Sequence, residues 1–131
     1  MKRQGVLHSE SPPPYTAIIH EAALRMGFGG PVVTRGQLKH LLDMTELPQV
    51  TIRVITFDTD EFPTTGQSFD FVEGPLAQLD TVQLDSHHDA CEFLDAAAQL
   101  DKYRAVLDRM ESCALTTAES RDFIHHRIRD L

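Results

Sequence analysis

Apolar and polar positions alternate in two registers along this chain, and the change from one to the other marks the elements. Tyr15 to His20 has the β-branched and aromatic content of a strand. Pro12 to Pro14 stand before it and exclude a helix running in from the N-terminus. Glu21 to Met26 then turns to helix formers, with Glu21 and Arg25 spaced as an exposed helical ion pair. Gly27 and Gly29-Gly30-Pro31 read as a break. Thr34 and Gln37 have the spacing of a capping box, so the spacing predicts a helix from Thr34 that carries Leu38, Leu41 and Leu42 on one side and ends before Pro48. Val50 to Phe57 alternates again, with Val50, Ile52 and Val54 on one face. Its other face is not purely polar, which predicts a strand inside a sheet, covered on both sides. Strand, helix and strand make a βαβ-like unit with a parallel pair.

The second half begins with short alternating runs. Ser68 to Glu73 places Phe69 and Phe71 on one face, Leu79 to Asp85 turns Val82 and Leu84 inward, and Ala90 to Leu94 reads as another short strand. Turns between them predict an antiparallel meander. The chain ends in helices. Leu100, Tyr103, Leu107, Met110 and Ala114 form one apolar stripe behind an Asp95 N-cap. Thr116 and Glu119 make a second capping box, and Phe123, Ile124 and Ile128 dock the last helix. The expected fold is α+β: a mixed sheet of about five strands covered by helices, two of them C-terminal. Residues 1–14 read as an arm and 15–131 as a single domain.

Composition narrows the function classes. The chain has 131 residues, a net charge of −8 and no cluster of Lys and Arg. That argues against direct nucleic-acid binding, which needs a basic face. No apolar run is long enough to span a membrane. Cys91 and Cys113 are far apart and in no metal or redox spacing, which fits a reducing, cytoplasmic setting.

The familiar chemical motifs are incomplete. His20-Glu21 opens like a zinc-protease motif, but Leu24 stands where its second histidine belongs. His87-His88-Asp89 with Cys91, and His125-His126, are adjacent pairs whose side chains diverge, so no metal site is expected. Asp58, Asp60 and Glu61 start like a calcium loop that Pro63 spoils. Gly27 to Gly30 lacks the lysine and spacing of a phosphate-binding loop. No cofactor is expected.

One ordered series of short matches runs from Arg3 nearly to the C-terminus. It comprises Arg3-Gln4, Glu21-Ala22-Ala23-Leu24-Arg25, Gly29-Gly30-Pro31, Gln37-Leu38, Leu41-Leu42, Val50 to Ile55, Phe69, Tyr103, Ala114-Leu115-Thr116 and Glu119-Ser120. The series resembles the domain of unknown function that follows an Xre-type helix-turn-helix in actinomycete regulators of the WhiJ-like group. The family's DNA-binding part and helical first part have no counterpart in this chain, so it is expected to start where the family's domain is half over. After the second strand the family has a proline and a Gly-His-rich turn, whereas this chain has Thr56-Phe57-Asp58-Thr59-Asp60-Glu61.

The resemblance implies a sensing or interaction domain that binds a small molecule or a small regulatory protein, some relatives working with a small acidic one. It carries over no catalytic residue. Loss of the family's first part predicts an exposed apolar patch and a homodimer. The alternatives are a biosynthetic enzyme, cyclase- or isomerase-like, that reuses the regulator's pocket, and a structural dimer with no ligand. Glu21, Arg25, Arg53, Asp58 and Tyr103 are the candidate ligand-binding residues if they converge on one cavity. A deep pocket with convergent polar groups favours the enzyme, and a hydrophobic groove favours a partner.

Overall fold

In the computed structural model the described residues are 11–59, 69–73, 80–85 and 91–131. They form β1 (Tyr15–His20), α1 (Glu21–Arg25), α2 (Gly30–Met44), β2 (Val50–Ile55), β3 (Phe69–Val72), β4 (Thr81–Asp85), β5 (Cys91–Leu94), α3 (Ala97–Cys113) and α4 (Thr117–Arg129). The fold is α+β with a parallel pair, an antiparallel meander and two C-terminal helices. The strands lie in two separately hydrogen-bonded sheets, β1-β2 and β3-β4-β5, where the sequence pattern suggested one mixed sheet. The chain divides into two compact units, residues 1–60 with 114–131, and residues 61–113.

In the first unit β1 and β2 run parallel, Tyr15 opposite Val50 and His20 opposite Ile55. Val50, Ile52 and Val54 are buried on one face, as their alternation predicts, and join Leu24, Leu38, Met44 and Ile124 in one core. Each such side chain contributes about 1.5–3 kcal/mol by leaving water. Ile55, on the other face, is also fully buried.

β2 does not lie inside a sheet, contrary to the expectation from its pattern. Among the described residues its one strand neighbour is β1. The outer edge is closed instead by the start of α4. Val54 N–H donates to Ser120 Oγ at 2.9 Å, and Leu115 N–H donates to the Val54 carbonyl at 2.8 Å. An apolar strand can thus be covered on both faces and still end a sheet, because loop and helix residues satisfy its backbone.

The Thr34 capping box is not formed. α2 begins at Gly30, with Gly29 as N-cap and Pro31 in the first turn. A proline there loses nothing, since the first helical N–H groups have no partner inside the helix. Thr34 lies within the helix and its hydroxyl donates to the Gly30 carbonyl at 2.9 Å. Gly29-Gly30-Pro31 is therefore a helix start, not a break. The box at Thr116 and Glu119 is formed in both directions, each bond 3.2 Å. α4 is tied to α2 by Arg121, which donates to Thr45 Oγ1 and to Glu46 Oε1, and by Arg35, which donates to the Leu131 carbonyl.

The second unit packs one face of its meander on α3. Phe69 opposes Leu84 and Phe71 opposes Val82 across β3 and β4. Val82, Leu84, Leu100 and Tyr103 form the core, with Phe69, Phe71 and Leu94 against it. Arg104 pairs with the buried Asp80 at 2.9 Å and lies over the Phe71 ring. α3 starts at Ala97, where Leu100 N–H meets the Ala96 carbonyl, so Ala96 takes the cap position and Asp95, the expected cap, stands one residue ahead of it.

Candidate functional site

A cleft lies between α1 and α2 in the first unit, and its walls follow from local sequence. His20 ends β1 and caps α1, its Nδ1 accepting from Ala22 N–H at 3.0 Å. Glu21 follows and points inward, 6% exposed. Arg25 Nε donates to Glu21 Oε2, and Phe57 N–H donates to Oε1 at 3.1 Å. The Phe57 ring meets the His20 ring edge-on at 5.2 Å. Burial pushes the Glu21 carboxyl up, but the Phe57 N–H, the Arg25 guanidinium and His20 together outweigh it and hold the group below its usual range. A charged, fully bonded carboxylate thus fixes α1 to the end of β2.

Gly29, at φ +86°, then turns the chain into α2. A Cβ there would lie 3.0–3.2 Å from the Val33 side chain, so the close turn of Phe28 over α2 needs glycine. The resulting cleft encloses about 280 Å³. Leu24, Leu38 and Leu41 form its floor, Ala23 and Met26 one wall, and Phe28 and Val33 the rim. Its polar members are Thr34, whose hydroxyl is already bonded to Gly30, and Gln37. Among the described residues no charged side chain lines it. The apolar surface does not stop at the mouth. Met26 and Val33 are more than half exposed, and Phe28 is 81% exposed.

The residues singled out from the sequence do not meet there. Glu21 and Arg25 are brought together, but as the ion pair that holds α1. Arg53 donates Nε to the Leu115 carbonyl at 2.8 Å and Nη2 to the Ala114 carbonyl at 3.0 Å, which occupies its guanidinium structurally. Asp58 is exposed just beyond Phe57. Tyr103 belongs to the other unit, buried edge-on against Phe69 at 4.9 Å between ring centres. None of them lines the cleft.

The cleft residues were missed because they read as core or turn. The signal was Met26, Phe28 and Val33, apolar residues crowded around three glycines where neither helix period buries them. Among the described residues no three His, Cys, Asp or Glu side chains group as metal ligands. His87, His88 and Asp89 lie outside the described residues, as do Asp60 and Glu61. No helix of the described residues is long and apolar enough to cross a membrane.

A parallel strand pair with its helices and a largely apolar cleft between α1 and α2 define this unit of an α+β chain. The chain belongs to the family described as a domain of unknown function, DUF5753, whose model matches residues 1–126. No curated protein and no solved structure matches it.

Proposed function

We propose that the chain is the binding module of a transcription regulator, and that the α1–α2 cleft takes an apolar anchor side chain of a small partner protein. The regulator setting rests on the resemblance to the WhiJ-like domains. The binding reading rests on the continuity of the cleft with the exposed apolar surface of Met26, Phe28 and Val33. Small-molecule pockets run from about 300 Å³ upward and bury most of their ligand. A cleft of about 280 Å³ that opens onto apolar surface suits one buried anchor with contacts around it. Retention of a small molecule is the second reading, since Gln37 offers an amide to orient one. An enzyme has less support, because the carboxylate with the clearest environment, Glu21, is ionised and committed to Arg25 and Phe57.

The test is native mass spectrometry of the chain purified from its own host, with a Val33→Asp variant beside it. Val33 is on the rim and more than half exposed, so the variant keeps its fold. A protein adduct present in the wild type and lost in the variant supports the proposal. A reproducible small-molecule adduct with no protein partner replaces it with the second reading.

A further inference from the structure

The fold closes one edge of its parallel strand pair and leaves the other open. Tyr15 N–H donates to the Gln49 carbonyl at 2.9 Å, so Tyr15, Ala17 and Ile19 turn their backbone groups toward β2. Thr16 and Ile18 turn theirs away from it. On β2 the outward groups of Val54 are taken by Ser120 and Leu115. On β1 none of the described residues bonds the outward N–H and C=O of Thr16 and Ile18. Thr16 is exposed and Ile18 half-buried.

Nothing along this strand wards off another one. Natural edge strands are guarded by lysines, inward charges or bulges. From Ser11 to His20 there is no Asp, Glu, Lys or Arg, so the strand adds nothing to the self-repulsion of a chain of net charge −8. All six residues of β1 pair with β2 in unbroken register. Pro12 to Pro14 have no N–H to give, and they limit a ladder only ahead of the strand.

We propose that β1 pairs antiparallel with β1 of a second copy, about a two-fold axis at Ala17. Each Thr16 then exchanges both N–H···O bonds with Ile18 of the other copy, and every outward group of the two residues is used. The residues on either side set this register. An axis at Thr16 would oppose Ile18 to Pro14, which has no N–H for the Ile18 carbonyl. An axis at Ile18 would oppose Thr16 to His20, the N-cap of α1, whose carbonyl belongs to the helix. Side chains match in the same register. Thr16 faces Ile18, and Tyr15, 48% exposed, faces Ile19, a β-branched and an aromatic pair of the kind that stabilises sheets. The edge is thus complementary to itself, as a two-fold contact must be. No residue of β1 lines the cleft, and the proposal stands apart from the cleft's role.

Sedimentation velocity of the full chain across micromolar concentrations tests it, with Thr16→Pro alongside and amide hydrogen exchange of the wild type. The wild type is expected to dimerise. Its Thr16 and Ile18 amides should exchange more slowly as concentration rises, while those of Ala17 and Ile19, already bonded to β2, should not change. Thr16→Pro removes an N–H that the single chain does not use, so its thermal midpoint should be kept. The dimer loses both bonds that the two Thr16 residues donate, a weakening of about 30-fold or more. A wild type that stays monomeric, leaving this edge to a strand of another protein, overturns the proposal. So does a dimer in which the Thr16 and Ile18 amides exchange as freely as at high dilution, or one that survives Thr16→Pro unchanged.

Discussion

Ser120, on α4, completes the outer edge of β2 by accepting the Val54 N–H at 2.9 Å in a site closed to solvent. Its own hydroxyl is directed to the Leu115 carbonyl at 3.5 Å. One side chain therefore does for Val54 what a third strand would do, and anchors α4 to the sheet. Ser120→Ala leaves a buried N–H without a partner, which costs about 1–3 kcal/mol. Urea unfolding is expected to show that loss. Stability equal to the wild type would mean the edge is satisfied in some other way.

Arg53 serves the same junction from the other face of β2, holding the Ala114 and Leu115 carbonyls together. Arg53→Met keeps much of the apolar stem and removes both bonds. A loss of about 1–3 kcal/mol is expected, with Arg53→Lys recovering only part of it, because an ammonium cannot span two acceptors as a planar guanidinium does. Equal stability of Lys and Arg at this position would overturn the two-carbonyl reading.

Acid should act through Glu21 and Glu119. Both carboxyls are held below the ordinary 4.5 in the fold. For Glu119 the cause is the capping box with Thr116. A depressed folded value means the stabilisation is complete above about pH 4.5 and is lost as the pH falls through the lower folded values. Glu21→Gln is expected to cost about 1–3 kcal/mol at neutral pH through the lost charged bonds to Arg25 and Phe57. It should also flatten the stability–pH curve below 4.5. An unaltered curve would show that Glu21 titrates normally.

Three glycines of one segment should respond differently to alanine. Gly29→Ala meets both a left-handed backbone and the Val33 side chain, and is expected to cost more than the roughly 1–2 kcal/mol of the backbone alone. Gly30→Ala, at φ +87° with open space around it, should cost about that backbone amount. Gly36→Ala in the single chain is expected to gain about 0.5–1 kcal/mol. Thermal melts of the series check the order, and a reversal between Gly29 and Gly36 would contradict the α2 geometry.

The cleft's floor and rim separate stability from binding. Leu38 is 2% exposed, and Leu38→Ala is expected to cost about 2–5 kcal/mol. Val33→Asp, on the rim, should change stability by about 0.5 kcal/mol or less. If both variants melt alike, Leu38 is not part of the floor.

Element types were legible because they rest on local periodicity. Tyr15–His20, by its β-branched and aromatic content, and Val50–Ile55, by its alternation, became paired parallel strands, and Phe69 and Phe71 faced the second core together. Thr116 and Glu119 formed their box because a cap needs only residues three apart. Glu21 and Arg25 met for the same reason.

Tertiary structure decided the rest, since it depends on groups distant in sequence. Thr34 had the spacing of a cap, yet Gly29 and Pro31 started the helix earlier and left Thr34 inside it. β2 had the pattern of an interior strand, yet Ser120 and Leu115, more than sixty residues on, closed its edge. Arg53 looked available for a ligand until the carbonyls at 114 and 115 reached it. The cleft itself appears only where α1, bonded to Phe57 through Glu21, comes beside α2, which the chain enters through Gly29. A hydrophobic pattern states which residues leave water, while which of them stay short of partners is decided by how the elements meet.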